Sequence, residues 1–266
     1  MNYLEDIKVI FRKLIPGKYG YHGDYENWIT AQQICSGYGA ENIVEKVKEA
    51  TLKVKNGEAI YERDSVLFNE VEYSWPLLSA LMWVAAKNKR KINVIDFGGS
   101  LGSSYFQNKQ FLDTIEVKWN IIEQEGFVKL GQEFIQGSHV NFFYSVEEAV
   151  SRNGLPDLLI IACTLPYLKQ PYDSLVGLMK YNIPHLIIDN TPFNYEPRDR
   201  ITIQKVPPEI YSASYPCWFL DYKKVVETIS ETYIVVSEHE NDSSIYLDGR
   251  RINYKGFLAK IKSQEA

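Results

Sequence analysis

The stretch INVIDFGGSLGSSYFQN, Ile92 to Asn108, joins an unbroken apolar run ending in an acid to a glycine-rich turn and then to a segment of helical character. Short apolar runs without polar alternation suit strands covered on both faces. Four more follow: VKWNIIE, VNFFYS, DLLIIAC and HLIIDN. Between them SSYFQNKQFLD, EGFVKLGQEFIQ, VEEAVSRNG and PYDSLVGLMKYN each supply a crossover helix. This β-α-β order predicts an α/β fold, a doubly wound and mostly parallel Rossmann-like sheet.

Outside that region the pattern changes. Upstream of residue 90 everything reads helical. ENIVEKVKEATLKVKNG sets Ile43, Val44, Val47, Ala50 and Val54 on one stripe and ends at Asn56-Gly57, while WPLLSALMWVAAKNKRK predicts a buried helix over Pro76–Ala86. Leu4, Ile7, Ile10, Phe11 and Leu14 recur at helical spacing among Lys8, Arg12, Lys13 and Lys18, which suits a helix packed on the domain or one lying on a membrane surface. Toward the other end TYIVVSEHE, SSIYLDGRRINY and KGFLAKI read as strands, with Asp248-Gly249 as a hairpin turn, so an antiparallel strand is expected near the C-terminus. The expected organisation is a helical N-terminal cap with a substrate role (1–75) and a main domain (76–266). A long Pro-, Tyr- and Arg-rich connection over 191–220 reads as a lid.

The totals exclude several classes. A net charge of −5 argues against a nucleic-acid groove. Cys35, Cys163 and Cys217 are odd in number and far apart, so neither a disulfide framework nor a metal spacing can be drawn from them. A reduced cytoplasmic setting fits, and no stretch reads as a signal peptide or a transmembrane segment.

In open α/β sheets the ligand sits beyond the carboxyl ends of the strands where strand order reverses, which selects the turn after Asp96. The dinucleotide fingerprint G-x-G-x-x-G fails there, because Ser100 and Ser103 stand at its second and third glycines. In the D-x-G-x-G-x-G pattern of class I methyltransferases Asp96, Gly98 and Gly102 match, and Ser100 is the one replacement. A carboxylate so close to the turn repels a pyrophosphate but suits S-adenosylmethionine, whose ammonium and sulfonium are both cationic. Gly98 and Gly99 allow the close approach a ligand needs. Glu123, with Gln124, ends the second strand where an acid takes two ribose hydroxyls; a solvated surface charge is its alternative. Tyr144 and Ser145 end the third strand, where adenine would lie, and Cys163, Thr164 and Leu165 end the fourth.

Together with GDYENWITA, ATLKVKNGEAIYERDSVLFNEVEYSWPLLSALMWVAA, LPYLKQPYDSL, LIIDNTPF and IYSASYPCWF, these segments resemble an uncharacterised bacterial family of S-adenosylmethionine-dependent class I methyltransferases met among surface-polysaccharide genes. The resemblance implies S-adenosylmethionine as cofactor, the methyltransferase sheet, and active-site edges at Thr164 to Tyr167 and Asp189 to Pro192. The chain departs from the family pattern in ACTLP and at Asn190, which weakens transfer of substrate by analogy.

A hydroxyl acceptor has to lose its proton, and Asp189 and His22 are the candidate bases; turn formation and a surface loop are their alternatives. Tyr211, Tyr215 and Trp218 suit an aromatic wall for a sugar, Tyr167 a substrate edge, and Arg198 with Arg200 a phosphate or carboxylate site. Glu62, Arg63 and Asp64 read equally as an ion pair anchoring the cap or as a substrate contact. The expectation is O-methylation of a sugar or sugar-containing precursor of a surface polysaccharide, with a small-molecule or glycan acceptor and no nucleic acid. A homo-oligomer or a glycosyltransferase partner stays open. The alternatives are an NAD-dependent sugar-modifying oxidoreductase and a non-catalytic methyltransferase-like binding subunit.

Overall fold

The five apolar runs fold as adjacent parallel strands. The computed structural model describes residues 18–37, 41–63 and 65–263, so the amphipathic segment from Leu4 to Leu14 and Asp64 lie outside the described residues. The strands are β1 (Gly20–Tyr25), β2 (Tyr61–Arg63), β3 (Val66–Phe68), β4 (Lys91–Phe97), β5 (Glu116–Ile122), β6 (Val140–Phe143), β7 (Leu158–Ala162), β8 (His185–Pro192), β9 (Arg200–Lys205), β10 (Ser214–Phe219), β11 (Tyr233–Leu247) and β12 (Arg250–Ile261). The helices are α1 (Trp28–Gln33), α2 (Glu41–Lys55), α3 (Trp75–Lys87), α4 (Ser103–Leu112), α5 (Glu125–Leu130), α6 (Val146–Asn153), α7 (Pro171–Met179) and α8 (Tyr222–Ile229).

The central sheet runs β11-β12-β8-β7-β4-β5-β6. β4 pairs in parallel with β5 on one side and β7 on the other, and β12 alone runs against the rest, antiparallel to both β8 and β11. This is the expected doubly wound sheet with one antiparallel strand near the C-terminus. Strand order reverses at β4, which opens a crevice at the carboxyl edge between β4 and β7.

Period-two alternation explains the continuous apolar runs, because each strand feeds two cores. Leu158 and Ile160 of β7 pack with Leu77 and Leu81 of α3, while Leu159 and Ile161 pack with Leu175 and Leu178 of α7. Each such side chain contributes about 1.5–3 kcal/mol on burial. The α2 stripe also holds: Ile43, Val47 and Ala50 are buried. Asp248 and Gly249, at φ +50° and +77°, make the expected two-residue turn, and the tail folds as two long strands with bulges instead of three pieces.

Two expectations change. The region before residue 90 also contains β1, β2 and β3, strands too short for their periodicity to stand out. The connection over 191–220, read as a lid, holds two strands that its sequence did not announce, β9 and β10, which form a second sheet with β1 in the order β1-β9-β10. Ile201 and Ile203 alternate along β9 and pack on Ala31 of α1, so cap and lid residues share one small core. That core hangs over the carboxyl edge of the main sheet.

Gly256 is where β12 crosses closest to its neighbours, since a Cβ there would land on the Ile188 carbonyl oxygen and on the His239 imidazole. Gly256→Ala is expected to destabilise the protein by about 1–3 kcal/mol through overpacking, measured by urea denaturation. An unchanged midpoint would show that β11 moves aside freely.

Candidate active-site cleft

A cleft of about 790 Å³ opens above β4, β5 and β7 and beneath the β1-β9-β10 sheet. It gathers most of the residues expected from the sequence: Asp96, Gly98, Gly99, Ser100, Glu123, Gln124, Tyr144, Cys163, Thr164, Tyr167, Tyr211 and Tyr215.

Its floor is the turn after β4. Asp96 continues the face of Ile92 and Val94, so its carboxylate is buried, and the Trp119 indole N–H donates to it at 3.0 Å. Burial pushes its pKa up to about 7; the Trp119 bond opposes the shift and the charge of Glu123 adds to it. Gly99 lies directly over this carboxylate, and a Cβ there would sit on its oxygens. Gly98, at φ +75°, leaves no room for a Cβ beside Thr164. Ser100 also has a positive φ, +53°, in the left-handed region that a non-glycine residue enters at about 1–2 kcal/mol.

The turn is held from β5. Ser100 N–H donates to Glu123 Oε1 at 3.2 Å, and Gln124 N–H donates to Oε2 at 2.7 Å. Burial raises the Glu123 pKa against these two backbone donors. Each carboxylate oxygen keeps a lone pair for a further donor. Gly102 is the N-cap of α4 at φ +96°, and its N–H closes the turn on Gly99 O at 2.9 Å.

The opposite wall is aromatic. The Tyr167 hydroxyl donates to Gln204 at 2.8 Å, its ring meets Tyr215 edge-on at 5.4 Å, and the Tyr211 and Tyr215 hydroxyls are 3.2 Å apart. Trp28 of α1 lines the cleft and stacks at 6.2 Å on Trp218, whose indole donates to Leu168 O. Thr164 closes the edge by donating to Phe97 O and Ala162 O, both at 3.0 Å.

The remaining expected residues lie elsewhere. Trp218 backs the wall without lining it. Leu165 is core, and Ser145 caps α6 by accepting from Glu148 N–H at 3.2 Å. His22 alternates with the cleft-lining Tyr21 along β1, so its ring turns away and meets Tyr19 O at 3.1 Å. Arg198 is exposed and engaged by Asp24 and Glu196, and Arg200 by Asp248 and Gly23 O, so the expected anion site is already occupied by protein groups.

Asp189, the other candidate base, also lies outside the cleft lining. It is fully buried on the α3 side of β8 and accepts from Ser74 at 2.5 Å, His239 at 2.8 Å and Asn241 at 3.3 Å. Burial works against its charge, yet donation from His239 and Ser74 holds its carboxyl below the usual range. It fastens α3 and β11 to β8. His239 and Ile187 line a separate cavity of about 490 Å³ beside Trp75 and Trp83.

Sequence reasoning missed Tyr21, Trp28, Gln204 and Tyr254 on the aromatic side and the true setting of Glu62 and Arg63. Glu62 is buried in the β2-β3 hairpin, lines the cleft and accepts from Ser103, while Arg63 pairs with Glu72. A three-residue strand gives no periodicity, so nothing in YERDSVLF marks Glu62 as inward.

No family model matches the chain, and no curated protein matches it. Among solved structures it is similar to the 1,6-didemethyltoxoflavin-N1-methyltransferase of Burkholderia thailandensis with bound 1,6-didemethyltoxoflavin and S-adenosylhomocysteine (11% identity, 86% of this chain and 93% of that one, TM-score 0.46). Others are the N-terminal domain of EvdMO1 in the presence of S-adenosylhomocysteine and D-fucose (12%, 85% and 98%, 0.48) and the magnesium protoporphyrin IX methyltransferase of Synechocystis PCC 6803 with bound S-adenosylmethionine (12%, 85% and 100%, 0.46). The central sheet itself is mostly parallel, doubly wound and Rossmann-like. Among the described residues no helix is long and apolar enough to cross a membrane.

The raised Asp96 pKa has a testable sign. Folded Asp96 holds its proton up to about pH 7, whereas the unfolded chain releases it near pH 4, so its contribution to stability falls as pH rises through that window and is flat above it. The full difference is on the order of 4 kcal/mol at about 1.4 kcal/mol per pH unit. Asp96→Asn is expected to remove this decline, read as a smaller loss of unfolding free energy between pH 5 and pH 8 than in the wild type. Equal losses would place the Asp96 pKa near its ordinary value.

Proposed function

We propose that the cleft binds S-adenosylmethionine and directs its methyl group to a hydroxyl of a sugar or sugar-containing acceptor. The observation that carries the cofactor is the set of three buried or nearly buried carboxylates facing one end of the cleft, Asp96, Glu62 and Glu123. Arg63 is the one cation among the described lining residues there, and it is paired with Glu72. Such an end repels a pyrophosphate, which disfavours the dinucleotide reading, and favours a cationic ligand. The glycines beneath it give the backbone freedom for close approach.

On this reading Glu123, fixed by two backbone donors, takes the ribose hydroxyls, and Gln124 and Tyr144 border the adenine. Asp96 anchors the turn and answers the positive charge, with Glu62 on the facing side. The cofactor supplies an electrophilic methyl on a sulfonium. The chain supplies alignment: the acceptor is pressed from the aromatic wall toward Cys163 and Thr164, at the edge nearest the turn. Approach and orientation alone can lower such a barrier by about 7–11 kcal/mol. Asp189 and His22 stand outside the lining, so placement of the acceptor, rather than proton removal by either residue, is their chain's contribution here.

The sugar, and its place in surface-polysaccharide synthesis in the cytoplasm, rest on the family resemblance of the sequence. Aromatic faces interleaved with hydroxyl and amide groups support it, because a pyranose offers both apolar C–H faces and hydroxyl rims.

Calorimetry is expected to show binding of S-adenosylmethionine and S-adenosylhomocysteine and none of NAD; the reverse would sink the proposal. Glu123→Ala should weaken S-adenosylhomocysteine by about 1.5–3 kcal/mol, the range for hydrogen bonds to a charged group. Affinity for S-adenosylmethionine should also rise between pH 6 and pH 8, because a cationic ligand favours ionised Asp96.

For the chemistry, Asp189→Asn and His22→Ala are expected to keep turnover within about tenfold in folded protein, assayed by mass spectrometry with labelled S-adenosylmethionine. A loss of a hundredfold in either, the scale of a missing general base, would restore that residue to the reaction. Cofactor binding with no methylation of any extract fraction would instead favour the non-catalytic subunit.

A further inference from the structure

Among the described residues, the charges lining the cleft are all at one end. Glu62, Arg63, Asp96 and Glu123 belong to the β2-β3 hairpin and to the ends of β4 and β5. The other part of the lining comes from β1, α1, the segment after β7, β9, β10 with the segment before it, and β12. Among the described residues it presents phenol, indole, thiol, amide and aliphatic groups, and no carboxylate, ammonium, guanidinium or imidazole. Three of the cations near this wall are committed elsewhere, Arg198 to Asp24 and Glu196, Arg200 to Asp248, and Lys46 to the Ile210 carbonyl, while Lys205 of β9 alternates with cleft-lining Gln204 and is exposed outside the lining.

We infer that this part of the cleft is a recognition chamber for an uncharged, hydroxyl-bearing ring, and that any phosphate, carboxylate or ammonium on the acceptor stays outside it. An ion drawn into a wall that offers no counter-charge loses its hydration without replacement. A neutral ring loses far less and is recompensed by flat faces at Trp28 and Tyr215 and by hydrogen bonds at Tyr167 and Gln204. Burial raises the phenol pKa values of Tyr21 and Tyr167 well above the ordinary value, so these groups remain neutral at physiological pH. The inference rests on the proposed function, which gives the charged end to the cofactor. It adds a restriction on the acceptor: a sugar joined to a nucleotide or lipid diphosphate enters ring first, with its diphosphate at the mouth.

The test uses the full chain saturated with S-adenosylhomocysteine, its binding verified by calorimetry, and saturation-transfer NMR with four methyl pyranosides. Methyl glucoside and methyl N-acetylglucosaminide are neutral, methyl glucuronide is anionic and methyl glucosaminide is cationic. The neutral pair is expected to contact the protein, with the charged pair at least tenfold weaker. Gln204→Glu should weaken the neutral pair at least fivefold while leaving S-adenosylhomocysteine affinity within twofold. If that variant does not fold, Tyr167→Phe, which keeps the ring and removes the hydroxyl that orients Gln204, should give the same direction. Equal or tighter binding of either charged ring, or no contact by either neutral one, overturns the inference while the cofactor reading stands. Failure of S-adenosylhomocysteine to bind overturns both.

Discussion

A buried carboxylate under a glycine turn is the constraint from which the cleft follows. Asp96 sits at the end of β4 on the face of Ile92 and Val94, where an apolar residue would pack without penalty. One indole N–H from Trp119 satisfies part of it, and the Gly99 backbone lies directly over the rest. Burial pushes its pKa up to about 7, and the one indole donor opposes that shift only in part. Such local frustration persists where the surrounding structure enforces it and where a ligand uses it. Here enforcement is visible: Trp119 is fully buried, and Glu123 pins the far side of the turn through Ser100 N–H.

The same turn orders the electrostatics of the whole cleft. β4 and β5 end in acids, and the β2-β3 hairpin adds Glu62 opposite them. β7 is followed instead by Cys163 and Thr164, and among the described residues the lining from there onward is neutral. The two ends are therefore separated along the sheet edge by strand order itself, β5-β4-β7, rather than by a domain boundary. An edge divided in this way suits a cationic ligand beside an uncharged one, the two meeting at the β4-β7 crevice.

The parallel sheet was legible because strands buried on both faces carry a dense apolar signal, and the long helices α2 and α3 because fifteen and thirteen residues repeat a period several times. The turn was legible because its acid and glycines are close together in sequence; of the two backbone donors to Glu123, only Gln124 is its neighbour, and Ser100 lies 23 residues before it. The aromatic wall of the cleft was only partly legible. Tyr167, Tyr211 and Tyr215 were foreseen, but Tyr21, Trp28 and Tyr254 reach the cleft from β1, α1 and β12, elements more than a hundred residues apart in part. Nothing local in GYHGDY or RRINYK says which side chain turns inward; pairing with β9 and β8 decides it.

Asp189 shows how a correct topology still misplaces a side chain. It ends a parallel strand beside β7, with Ala162 as its partner in register and its carbonyl accepting from Cys163 N–H, so its backbone is at the cleft. Side chains alternate across a strand, however, and Asp189 shares the face of Ile187, toward α3. There Ser74, the N-cap of α3, and His239 of β11 converge on it, and Gly256 leaves the space that the imidazole fills. The acid therefore joins three elements that are remote in sequence, and its hydrogen bonds hold its proton affinity low, the opposite of what a base needs. Position along a strand selects the edge at which a residue lies; parity selects its face, and for Asp189 parity assigns a structural role to a residue whose position alone suggests chemistry.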